Sequence, residues 1–191
     1  MSTIAVLFHS GYGHTERLAQ VLFEAIAAEP DVSASCITIN QDGEISDADW
    51  SLLDGADAIV FGSPTYMGGV SWQFKRVADA SSGRWMAQQW KDKLAAGFTN
   101  SASINGDKSA TLSYLHTFAM QHGMLWVGTG LPAANTKAAQ RNDVNYLGAF
   151  SGLMAQSPAD ASVEEGPLPG DLETARLFAR RIVAQCQRLA D

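Results

Sequence analysis

Cysteine is scarce in this 191-residue chain, which holds only Cys36 and Cys186. They offer no metal-ligand spacing, so a cysteine metal centre is excluded and both thiols read as buried or idle. Clustered positive charge is also missing. Lys and Arg number 13 against 20 Asp and Glu, the net charge is −7, and no basic run occurs. Without a concentrated positive surface, no counterion release can drive nucleic-acid binding. No apolar stretch approaches the ~18 residues that cross a bilayer. The segment from Met1 to Phe8 is too short for a secretory signal. No internal repeat is present. Two phosphate-binding fingerprints are absent as well: Gly11 and Gly13 are followed by no third glycine at the required spacing, and no Gly-Lys-Ser/Thr occurs. That excludes a Rossmann dinucleotide turn and a P-loop. These absences lead to the expectation of a cytoplasmic protein with neither nucleic acid nor a membrane as partner.

What is present is a folded composition. Hydrophobic residues make up 46% and charged residues 17%, and the length suits one domain over residues 1–191. Strand and helix signals alternate along the chain, the pattern of a doubly wound α/β sheet. The runs Thr3–Phe8, Val32–Asn40, Ala56–Gly62, Leu94–Thr99 and Met124–Val127 read as five strands. Between them, helical spacing appears at Leu18, Leu22 and Ile26, at Phe74, Val77 and Ala78, and at Leu112, Leu115 and Ala119. A last helix carries Ala175, Phe178, Ile182 and Val183 on one face and arginines on the other. The strand order expected is 2-1-3-4-5, with a ligand at the carboxyl ends of the strands beside the first and third. Residues 133–145 read as a polar segment and 151–170 as a loop rich in Ser, Pro and Gly, long enough to be either a functional cover or a mobile stretch.

Three loops lie at those carboxyl ends. The first, Ser10-Gly11-Tyr12-Gly13-His14-Thr15, joins a buried strand to a helix start, where unpaired N–H groups and the helix dipole attract an anion. Its glycines let backbone curl around a phosphate, and Ser10 and Thr15 add hydroxyl donors. A lysine-free, hydroxyl-rich turn suits a monophosphate, although an ordinary capped turn reads the same way. The second loop holds Pro64, Thr65, Tyr66, Met67 and Gly68, with Tyr66 and Met67 as an apolar wall for a flat ring. The third holds Thr99, Asn100, Ser101, Ala102, Asn105 and Gly106. It is rich in donors able to meet negative charge on a flavin pyrimidine, or is simply a surface loop. His122, at a helix end, reads as a dipole partner or a titrating group.

Together these motifs resemble the flavodoxin superfamily, and within it the NAD(P)H:quinone oxidoreductases described as tryptophan-repressor-binding proteins. The resemblance rests on Ser10-x-Tyr12-Gly13-His14, on Pro64-Thr65-x-x-Gly68, on Trp85 after the next helix, and on His122-Gly123-Met124 before the fifth strand. It implies a flavodoxin-like three-layer sandwich around FMN. Residues 10–15 would hold the phosphate, and 64–68 and 99–106 would flank the ring. It further implies that His122 lies near the ring as the catalytic residue and that Tyr12 and Trp85 meet the substrate. The third loop departs from the family's glycine-rich form, keeping Gly106 alone.

The activity so implied is two-electron transfer from NADH or NADPH through flavin N5 to a quinone, in ping-pong fashion at one site. No bound metal is expected, and a homodimer or homotetramer is. Rival readings are a single-electron carrier, a reductase for azo, nitro or metal-chelate acceptors, and a scaffold that has lost its flavin.

Overall fold

The computed structural model describes residues 1–190. Ser2–Phe8 (β1) is a central strand with a parallel neighbour along each edge, Val32–Thr38 (β2) on one side and Ala58–Tyr66 (β3) on the other, and both its faces are covered by helices. Alternate side chains of a strand point to opposite faces. Ile4, Val6 and Phe8 therefore pack beneath His14–Ala27 (α1) and Pro169–Ala190 (α6), against Leu18, Leu22, Phe178 and Ile182. Ala5 and Leu7 face the opposite layer, with Phe74, Leu112, Leu115 and Trp90. The result is a three-layer α/β sandwich of the flavodoxin-like class.

Beyond β3 the chain forms a short hairpin partner, Gly69–Val70 (β4), and two helices, Trp72–Ala80 (α3) and Ser82–Met86 (α4). Then follow Leu94–Ser101 (β5), Lys108–Gln121 (α5), Leu125–Trp126 (β6) and Leu153–Gln156 (β7). The main path of the sheet runs β2-β1-β3-β5-β6, which is the expected order over its five principal positions. Two strands are additional. β4 pairs antiparallel with Thr65 and Tyr66. β7 pairs in parallel with Phe98–Ser101, while β6 takes only Leu94 and Ala95. The outer place beside β5 is therefore shared by two short strands, and residues 127–152 leave the sheet between them.

Part of the expected 151–170 loop is thus β7, and that loop ends at the start of α6. Asp47–Gly55 (α2) is a helix that apolar periodicity does not announce; its start is fixed by a reciprocal capping box between Ser46 and Asp49. Cys36 is exposed on the edge strand β2 rather than buried, whereas Cys186 is buried; both are free. No helix among the described residues is long and apolar enough to cross a membrane.

The register creates a crevice. β1 pairs with β3 only as far as Phe8–Gly62, but β3 and β5 continue together to Pro64–Asn100. Above the end of β1, the two longer strands project as one wall of a cleft. Pro64 is tolerated inside β3 because β1, which would need its N–H, has already ended.

Candidate functional site

That cleft measures about 560 Å³, within the range of small-molecule sites. Its floor is the first loop. Gly13 takes the N-cap position of α1 in the left-handed region, at φ 86°, and no side chain caps the helix. The first intrahelical bond of the turn is Arg17 N–H to Gly13 C=O. The N–H groups of His14, Thr15 and Glu16 therefore lack intrahelical carbonyls and sit at the positive end of the dipole. Ser10 Oγ accepts from Gly13 N–H at 3.1 Å, which curls the turn. Ser10, His14 and the buried Thr15 line the cleft. An uncapped helix start, two hydroxyls and no lysine form a cradle for one phosphate group.

The second loop gives the aromatic side. Tyr66 lines the cleft and meets Tyr12 edge-on, ring centroids 6.1 Å apart. Burial raises the Tyr66 pKa, as does the Tyr12 phenol, while the Gly11 N–H opposes them; Tyr66 therefore stays a neutral phenol. Tyr12 is mostly exposed at the rim, and Met67 is fully exposed at the hairpin tip next to Gly68. Thr65 Oγ1 is 2.8 Å from both Thr99 Oγ1 and Thr111 Oγ1, a buried hydroxyl chain that locks β3, β5 and α5 together.

The third loop gives the opposite edge through Asn100, Ser101 and Ala102. Its Asn105 and Gly106 turn away from the cleft lining, and the Asn105 carbonyl accepts from Lys108 N–H at 3.2 Å.

A fourth wall comes from within the long polar 151–170 stretch. Residues 157–163 run from β7 across the cleft, placing Ser157, Pro158, Ala161 and Val163 on its lining. Ser157 Oγ donates to Asn100 Oδ1 at 3.1 Å, and His14 Nδ1 lies 3.0 Å from the Gly166 carbonyl. Arg17 donates to the carbonyls of Val163 and Gly166. This stretch is tied to the phosphate loop at one end and to the ring loop at the other. Its Ser, Pro and Gly content was the available signal; Arg17 gave none.

Two more expected site residues, His122 and Trp85, do not join the cleft. His122 follows α5, whose 14 residues carry the chain about 21 Å back from the third loop. It is buried beside Trp90, ring centroids 4.4 Å apart, with Nε2 2.9 Å from Ser81 Oγ. Trp85 and His122 share a separate hollow of about 240 Å³ with Tyr114 and Lys75. The resemblance implies a place near the ring for His122 and near the substrate for Trp85, but α5 carries His122, and α3 carries Trp85, away from the carboxyl ends of the strands.

Burial pushes the His122 pKa down to about 4, so the folded state holds the imidazole neutral. The unfolded chain then binds more protons as pH falls from 6.5 towards 4, and stability is lost across that window. The expected loss at this site is about 2 kcal/mol between pH 7 and pH 5. Urea unfolding at both values measures it, and His122→Gln should flatten the difference. His9, buried with both ring nitrogens unpartnered, shifts in the same direction by burial and adds to the remaining slope.

Residues 9–139, from just after β1 to beyond β6, match the family described as NADPH-dependent FMN reductase. The chain belongs to this flavodoxin-like FMN reductase family. It is 51% identical over 189 residues to flavodoxin FldP of Pseudomonas aeruginosa, covering 99% of each chain. It is 30% identical over 200 residues to an NAD(P)H dehydrogenase (quinone) of Geobacter sulfurreducens, covering 95% of this chain and 96% of that one. Among solved structures, it is similar to a flavodoxin, WrbA-like protein from Agrobacterium tumefaciens. That match has a TM-score of 0.78 and 44% identity, over 98% of this chain and 99% of the other. Family membership makes FMN the cofactor to which the cradle is matched.

Proposed function

We propose that this FMN reductase family member transfers two electrons from NADH or NADPH to a quinone, both substrates using the cleft in turn. The observation that carries the reading is the uncapped, hydroxyl-lined start of α1 opening into a slot bounded by Tyr12, Tyr66 and the Asn100–Ala102 edge. The relative named as a quinone dehydrogenase supports it.

When bound, FMN supplies the redox chemistry, accepting hydride from a nicotinamide and returning it to the acceptor. The chain's own residues do the rest. Ser10, Thr15 and the N–H groups of His14–Glu16 bind the phosphate. Pro64, Thr65 and Tyr66 on one side and Asn100–Ala102 on the other orient the ring. Residues 157–163 exclude water from the inner face. Tyr12, exposed at the rim, contacts the nicotinamide or the quinone as each arrives. Backbone N–H groups of the third loop stabilise negative charge that grows on reduction. The proton that completes quinone reduction comes from solvent at the open rim, and His122 lies outside this chain's own cleft.

The name of the 51%-identical relative favours a second reading, a flavodoxin that carries electrons between proteins. Anaerobic mixing separates the two. FMN-loaded protein should bleach with NADH or NADPH alone, then recover its yellow colour on adding benzoquinone, over many turnovers. Failure to bleach without an added reductase would leave the carrier reading. Association into a dimer or tetramer belongs to the same proposal, since Trp72, Met86 and Phe150 leave apolar surface exposed; light scattering measures it.

A further inference from the structure

The third loop is backed by a lysine that the cleft chemistry above does not use. Lys108 opens α5, yet its side chain is fully buried. Nζ donates to Ser101 Oγ at 3.0 Å and to the Ser103 carbonyl. Ser101 lines the cleft, so the ammonium stands one hydrogen bond behind the wall against which the ring would lie.

Its surroundings leave that charge without a carboxylate. Asp171 is close, but both its oxygens are taken by Arg141, at 2.9 and 2.7 Å, and one also accepts from Gln156 N–H at 2.8 Å. Gln156 in turn donates to the Ala102 carbonyl at 2.9 Å, gripping the loop from the other side. Two cations and one carboxylate thus sit behind residues 101–103, a net charge of +1. Burial brings the Lys108 pKa down to about 8, with Asp171 opposing the shift and Arg141 adding to it. The group is still mostly charged at neutral pH. A buried cation fastened only to a hydroxyl and a carbonyl is a costly way to hold a loop, which a neutral donor could hold as well.

We propose that Lys108 is a positioning residue whose charge, acting through Ser101 and the loop, favours the reduced, negatively charged flavin over the oxidised one. This deepens the functional reading above and rests on FMN occupying the cleft. A fixed positive charge in a poorly solvated wall interacts strongly with charge that develops beside it and needs no reorganisation to do so.

Lys108→Gln keeps hydrogen-bond donation and removes the charge; Lys108→Arg keeps the charge. The measurements are oxidised-FMN affinity by fluorescence quenching and the two-electron midpoint potential by dye equilibration, with circular dichroism to confirm folding. In K108Q, oxidised FMN should bind within about threefold of wild type, while preference for the reduced form falls about tenfold. For a two-electron couple that is a potential about 30 mV lower. K108R should keep the wild-type potential. An unchanged potential in K108Q, or equal weakening of both oxidation states, would overturn the charge role while leaving the FMN reading intact. Wild-type protein that retains no FMN would instead remove both.

Discussion

A Gly13→Val variant is expected to fold and yet bind FMN at least ~100-fold more weakly than wild type, a difference of about 3 kcal/mol. Gly13 holds a φ of 86° at the start of α1. A side chain in this left-handed region costs about 1–2 kcal/mol, and a β-branched one is a marked outlier. Space is also lacking, because a Cβ there would lie 2.7 Å from Val163 Cγ2. The turn must open or the 157–163 wall must lift. Either movement displaces the His14 and Thr15 donors from one anion, and each hydrogen bond to a charged group is worth about 1.5–3 kcal/mol. Flavin fluorescence titration gives the affinity, and far-ultraviolet circular dichroism checks that the sheet survives. A yellow G13V protein of wild-type affinity would show that the phosphate binds elsewhere.

The largest loss of stability is expected from Asp171→Ala, at about 3–5 kcal/mol. Asp171 is only 3% exposed and is held by both arms of Arg141. Removing it leaves a half-buried guanidinium without its partner and frees the Gln156 N–H at the end of β7. The penalty comes mostly from that orphaned charge. Arg141→Met in the same background should therefore restore part of the loss, whereas two independent sites would lose stability additively. Urea unfolding of the two single variants and the double variant measures the coupling. A D171A protein within 1 kcal/mol of wild type, on the scale of an exposed ion pair, would mean that the pair is solvated.

The two predictions touch features of different legibility. Gly13 and its neighbours were readable because a strand-to-helix turn with small and hydroxyl residues has local chemistry; sequence distance is short and the helix dipole is intrinsic. Asp171 was not. It opens a helix 30 residues after its partner Arg141, and nothing local pairs them. Lys108 carries no local sign of burial, since the Gln156 and Asp171 beside it belong to β7 and α6, which arrive from later in the chain. The helix α2 could have been found from Ser46 and Asp49, whose spacing is a capping signal, but its weak apolar face hid it. β7 is four residues long and becomes a strand only against Phe98–Ser101. Cys36 carries strand-forming neighbours, but edge position rather than composition exposes it.

The amino-acid order alone determined the alternation of strands and helices, the sheet order over its main positions, and the three loops at one end of the strands, because periodicity and turn chemistry are properties of neighbouring residues. Tertiary structure alone decided which side chains share a cavity. It removed His122 and Trp85 from the cleft, since a rigid helix fixes where its far end lies. It brought in the 157–163 wall and the ionic cluster behind Ser101, because contacts across tens of residues exist only once the chain has closed on itself.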